Sequence, residues 1–122
     1  MKKSIYLIAL LSLISLNSHA ASENELRDIA DCMAAFSISN SNMQLNGDHQ
    51  NYKTGDRAFS KLMDVFYEQL NAYKKQNPKI DEAYLGQMPN RSLEKYNYMG
   101  DLQQLKYAQS VLKVNNCFGY VR

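Results

Sequence analysis

The chain has 122 residues, enough for one small domain with a modest core, and a formal net charge of +2. Lys2 and Lys3 account for that excess, so the remainder holds as many acids as bases and no basic block. Such a balance argues against nucleic acid or an anionic membrane surface as a partner, and no nucleic acid is expected.

Residues 1–20 read as an export signal. Lys2 and Lys3 make a basic start, and Ile5 to Leu16 is an apolar run interrupted only by small serines. Ser18-His19-Ala20 then puts small residues at the two positions a signal peptidase reads. The apolar run falls short of the roughly 18–20 residues a bilayer span needs, so no stable membrane anchor is expected after cleavage. No cysteine follows the cut, which argues against a lipid anchor. Cleavage near Ala20 would leave residues 21–122 as a single helical domain, in the periplasm or outside the cell.

Cys32 and Cys117 are the only cysteines. An even count in an exported chain points to a disulfide between them. The bridge would close most of the domain into one loop, which in the chain-entropy model stabilises by about 4–5 kcal/mol.

Ser22 followed three residues later by Glu25 is a capping-box pattern and starts the first helix. Leu26, Ile29, Ala30, Met33 and Phe36 form its apolar stripe, with Cys32 at the edge. The helix is expected to end near Ser39. Asn40 to about Asn51 is rich in turn formers, with a strong Asn46-Gly47 signal, and reads as a loop.

The second helix is expected to begin between Tyr52 and Asp56, capped by Thr54 or Asp48, and to stop at Asn77-Pro78. Phe59, Leu62, Phe66, Leu70 and Tyr73 make one face. Ala58, Val65 and Ala72 make a small-residue row beside it. Two apolar sides predict two helical neighbours and make this element the expected hub, with the first helix on one side and the last on the other. Ile80 to Met88 reads as a short third helix begun by Asp81 and Glu82, stopped by Pro89, and anchored by Leu85 and Met88.

Asn90 or Ser92 can cap the last helix, expected to run unbroken to about Val114 with Gly100 inside it. Tyr98, Leu102, Leu105, Ala108 and Leu112 form its predicted core stripe. Asn115-Asn116 should fray its end, and Phe118 and Tyr120 can fold back as a plug. The expected fold is all-α: a small bundle of three to four helices stapled by one disulfide.

The chain lacks the spacings that carry common chemistries. It has no CxxCH, no Gly-x-Ser-x-Gly, no phosphate-binding glycine loop and no EF-hand spacing. Past the signal a single histidine remains, His49, where zinc wants three or four clustered ligands. Two carboxylate pairs, Asp28 with Asp31 and Asp81 with Glu82, are conceivable acid–base partners. They read more simply as a wet helix face and an acidic helix start. No metal or cofactor is expected, and the chain does not read as an enzyme.

All nine tyrosines but Tyr6 lie beyond the signal, and there is no tryptophan. Tyr96, Tyr107, Val111 and Val114, with Leu93, fall away from the predicted core stripe of the last helix. Tyrosines with an apolar body and a polar tip suit protein interfaces, so this side is a candidate partner surface. The turn-rich segment carrying His49 and Tyr52 is a second candidate. The expected function is binding to another protein in the envelope, as an inhibitor or immunity partner of a toxin or hydrolase would. The alternative is a stress or holdase chaperone, loosened when its 12 acidic side chains become protonated. No motif singles out a family.

Overall fold

The computed structural model describes residues 22–121, and the export signal read in residues 1–20 lies outside them. Among the described residues every regular element is helical and there is no strand. Five α-helices follow in order: α1 Glu23–Leu45, α2 His49–Gln76, α3 Glu82–Gly86, α4 Met88–Glu94 and α5 Asp101–Val114. Tight 3-10 turns occupy Lys95–Tyr98 and Cys117–Val121.

The capping box forms as expected: the Glu25 amide donates to the Ser22 hydroxyl, and the Ser22 amide donates to the Glu25 carboxylate. The predicted stripe of Leu26, Ile29, Ala30, Met33 and Phe36 is buried. Burial goes further than a stripe, however. Cys32, Met33, Ala34, Ala35 and Phe36 are buried one after another, a full helical turn enclosed on every side. α1 packs against α2, α4 and α5, whereas α2 and α5 have little to do with each other. The hub is therefore α1 and not the α2 segment. The physical reason is side-chain size: Ala30, Ala34 and Ala35 let neighbouring helices approach α1 from several directions at once.

The expected loop from Asn40 to Asn51 does not exist. α1 continues six residues beyond Ser39, and α2 starts at His49. Packing against the antiparallel α2 outweighs the weak helix preference of the serines and asparagines here. Asn40 shows how close the two helices come. It is only 6% exposed, and a β-carbon added at Gly55 would lie 2.0 Å from its Oδ1. Gly55 thus sits inside α2 because the Asn40 side chain fills the space a β-carbon would need.

The reversal needs only Asn46, Gly47 and Asp48. The Asp48 amide donates to the Met43 carbonyl at 2.9 Å and the Gly47 amide to that of Gln44 at 3.2 Å, the paired bonds of a Schellman cap. Gly47 takes the left-handed conformation this cap requires, at φ 74°. Asp48 then caps α2 by accepting from the Asn51 amide. So short a connection places α1 and α2 side by side and antiparallel.

On α2, Leu62, Phe66 and Leu70 are fully buried, with Phe59 and Tyr73 half-buried beside them. The short third helix appears as α3, capped by Asp81 and anchored by buried Leu85, with Met88 buried just beyond it. Pro89 does not stop a helix but lies in the first turn of α4, where its missing N–H costs nothing. Asn90 and Ser92 are inside α4 rather than at its cap.

The single last helix is also overturned. The chain passes from α4 through the Lys95–Tyr98 turn, becomes extended at Met99, and starts again with Gly100 as the N-cap of α5. The Gln104 side chain donates to the carbonyls of Tyr96 at 2.9 Å and Met99 at 3.2 Å, which satisfies backbone freed by the break. At the far end Asn116 adopts φ 49° and turns the chain back toward α1 instead of fraying. Cys117 is bonded there to Cys32, with α-carbons 5.5 Å apart and a sequence separation of 85. Phe118 packs edge-on against Phe36 with ring centroids 5.0 Å apart, and Tyr120 rests against the core.

Candidate functional site

The face of α5 that meets α1 lies between the two faces read from the sequence. Ala108 is fully buried at its centre, in a cluster with Ala34, Ala35 and Tyr96. Gln104, Leu105, Val111 and Leu112 flank it, half-buried. Leu105, Ala108 and Leu112 come from the predicted core stripe and Val111 from the predicted partner side. Close approach of alanines decides this contact, because the helix turns its smallest residue to α1.

Both earlier faces are split as a result. Of the expected partner residues, Tyr96 is 2% exposed, and Leu93 and Val111 are half-buried against the same cluster. Tyr96 has no surface to offer a partner while the fold is intact. Tyr107 and Val114 remain exposed on one shoulder of α5, and the Tyr107 ring leans on Tyr96 with centroids 5.4 Å apart. Of the expected core stripe, Tyr98 is 91% and Leu102 65% exposed.

Burial pushes the Tyr96 hydroxyl up to about 12, with smaller contributions from Tyr107 and Asp31. No group among the described residues bonds to it. The Tyr120 hydroxyl is raised as well, first by burial and then by Asp28 and Glu25.

His49 and Tyr52 share α2 but not a site. His49 is exposed at the first residue of the helix, over a shallow depression with Lys53 and Arg57. Tyr52 is half-buried and lines a polar groove with Ser37, Asn40, Ser41, Gln44 and Asp56. The carboxylate pairs also disperse. Asp31 accepts a bond from Ser92 at 2.6 Å while Asp28 is exposed; Asp81 caps α3 and Glu82 pairs with Lys74. Among the described residues no three histidine, cysteine or acidic side chains stand close enough to hold a metal ion. No helix there is long and apolar enough to cross a membrane.

A surface missed by the sequence reading forms where α1 continues past Ser39. Ile38, Ser41, Asn42 and Leu45 of α1 face Asp101, Gln104 and Leu105 of α5 across an open groove of about 260 Å³. Leu45, at the C-terminal end of α1, is 84% exposed. Leu102 is one turn from Leu105 on α5, and Tyr98 lies just before that helix. The signal was present in the sequence: Ile38, Asn42 and Leu45 extend the helical spacing of α1, but the turn-forming residues around them mask it. The chain matches no family model, no curated protein and no solved structure.

Proposed function

We propose that the mature chain is an exported helical protein that binds another protein in the cell envelope, using the α1/α5 groove and its rim. The observation that carries this reading is the exposure of large apolar side chains: Leu45 in the groove wall, and Leu102 on α5, one turn from the groove-lining Leu105. Apolar groups gathered around a groove with a polar rim of Ser41, Asn42 and Asp101 have the make-up of a protein-docking surface. A scaffold tied by Cys32–Cys117 would present them at little ordering cost. An inhibitor or immunity partner of a secreted toxin or hydrolase is the kind of protein this describes.

The test is in vivo crosslinking in the periplasm, comparing wild type with a Leu45→Gln/Leu102→Gln double variant. Both side chains are exposed, so stability should change by no more than about 0.5 kcal/mol per site. The wild type is expected to capture one reproducible protein and the variant to lose it. A wild type with no reproducible partner, or equal capture by the folded variant, would overturn the proposal.

A further inference from the structure

A second cleft, of about 240 Å³, lies at the other end of α1, between its first turns and α3 and α4. Three cations from three elements line it: Arg27 of α1, Arg91 of α4 and Lys95 of the following turn. Two already have acids. Arg27 pairs with Glu23 at 2.9 Å, and Lys95 donates to Asp31 Oδ1 at 3.3 Å. The Ser92 hydroxyl donates to that same oxygen at 2.6 Å, which fixes the carboxylate in place.

Arg91 differs from both. Its guanidinium lies 4.0 Å from the centre of the Tyr84 ring, and its Nη2 donates to the Tyr84 carbonyl at 2.5 Å. The group is half-buried and held from two sides, yet no carboxylate pairs with it among the described residues. The cleft therefore carries one positive charge more than its own acids neutralise, on a planar group with N–H donors to spare. A guanidinium held in place this way, with planar N–H donors still open, has the geometry to receive a carboxylate through two parallel bonds.

We infer that this cleft receives one carboxylate, an aspartate or glutamate side chain of the protein partner, on Arg91. A single excess charge matches a carboxylate and not a phosphate dianion. The cleft is smaller than those that enclose free drug-sized ligands. Buried Met88 and the Tyr84 ring supply apolar walls for the stem of an acidic side chain. The inference goes beyond the α1/α5 groove to a second contact at the other end of α1, and it rests on the protein-binding reading because the acid belongs to the partner.

The cleft is tested first without the partner, by following the Arg91 Nε–H and Ser92 amide NMR signals of the disulfide-bonded chain. N-acetyl-glutamic acid amide should shift both, and N-acetyl-glutamine amide should not. Arg91→Gln should weaken the response about tenfold or more, as expected for losing a hydrogen bond to a charged group. Arg91→Lys keeps the charge without the planar fork, so it too should weaken the response. No shift in the folded wild type, an equal response to the glutamine analogue, an undiminished response in either variant, or a response to inorganic phosphate alone overturns the inference. Crosslinking separates the two proposals. Capture by wild type that falls in Arg91→Gln supports the inference. Equal capture by both overturns it and leaves the protein-binding reading standing. A wild type that captures nothing overturns that reading, and with it the partner's acid.

Discussion

Tyr96 and Asn40 each bury a polar atom without a bonding partner among the described residues, and they do so for different reasons. Tyr96 fills space beside Ala34, Ala35 and Ala108 with its ring, and the hydroxyl follows. Tyr96→Phe should therefore be at least as stable as wild type at neutral pH, since an unbonded buried hydroxyl contributes nothing. Alkaline pH should separate the two. The folded state holds the phenol proton more tightly, with the value raised from 10.0 to about 12. That contribution is complete below pH 10 and is lost between roughly pH 10 and 12, at up to about 1.4 kcal/mol per pH unit. Urea melts at pH 7 and 11 should show a smaller alkaline loss in Tyr96→Phe, with Tyr120 accounting for part of what remains; superimposable pH profiles would refute this. Asn40 instead meets the backbone of α2. Gly55→Ala would favour an isolated helix by about 1 kcal/mol, but here its β-carbon meets Asn40 Oδ1. Overpacking should destabilise the protein by about 1–3 kcal/mol. Asn40→Ala should recover much of the loss in a double-mutant cycle measured by urea melting. Additive effects would mean that the two residues do not share the space.

At the scale of elements, the break between α4 and α5 separates what local pattern suggests from what forms. Gly100 reads as a weak interior position of one long helix, yet it is the N-cap of α5 with extended backbone, at φ −73° and ψ 166°. Gly100→Ala distinguishes these by sign. In a helix interior alanine would add about 1 kcal/mol. At an N-cap it should cost on the order of 0.5–1 kcal/mol, because alanine is among the poorest residues there. Thermal melting gives the sign directly. The opposite surprise occurs in α1, where a segment of serines and asparagines stays helical. The alternation of apolar positions through Ile38 and Leu45 was legible, but propensity pointed the other way, and only the presence of α2 alongside settles such a conflict. The site suffers from the same ambiguity, since its groove exists only because α1 extends and α5 begins where they do.

For the whole molecule, the covalent link holds the last element against the first. Cys32 sits in the enclosed turn of α1 and Cys117 follows the reversal at Asn116, so the bridge joins the hub to the chain's far end. Breaking it releases a loop with a sequence separation of 85 residues. In the chain-entropy model this should lower stability by about 4–5 kcal/mol. Urea melts of the Cys32→Ser/Cys117→Ser variant should show that loss, and a change below about 1 kcal/mol would mean that packing alone retains the tail. The centre of the architecture also moves at this scale. α2 has the more regular apolar face, but α1 has the alanines, and contact with three helices depends on how closely each can approach.

Local chemistry in the sequence by itself determined the all-helical class, the capping box at Ser22, the reversal at Asn46-Gly47, the anchoring of α3 through Leu85 and the pairing of the two cysteines. Each depends on residues near one another in the chain or, for the cysteines, on their being the only candidates. Only the tertiary structure decided that α1 is the hub, that Tyr96 is core while Leu102 is surface, and which side of α5 faces inward. Those outcomes depend on the distance at which helices pack. That distance is set by where small residues from different helices meet, as Ala34, Ala35 and Ala108 do, and no single helix's pattern contains it.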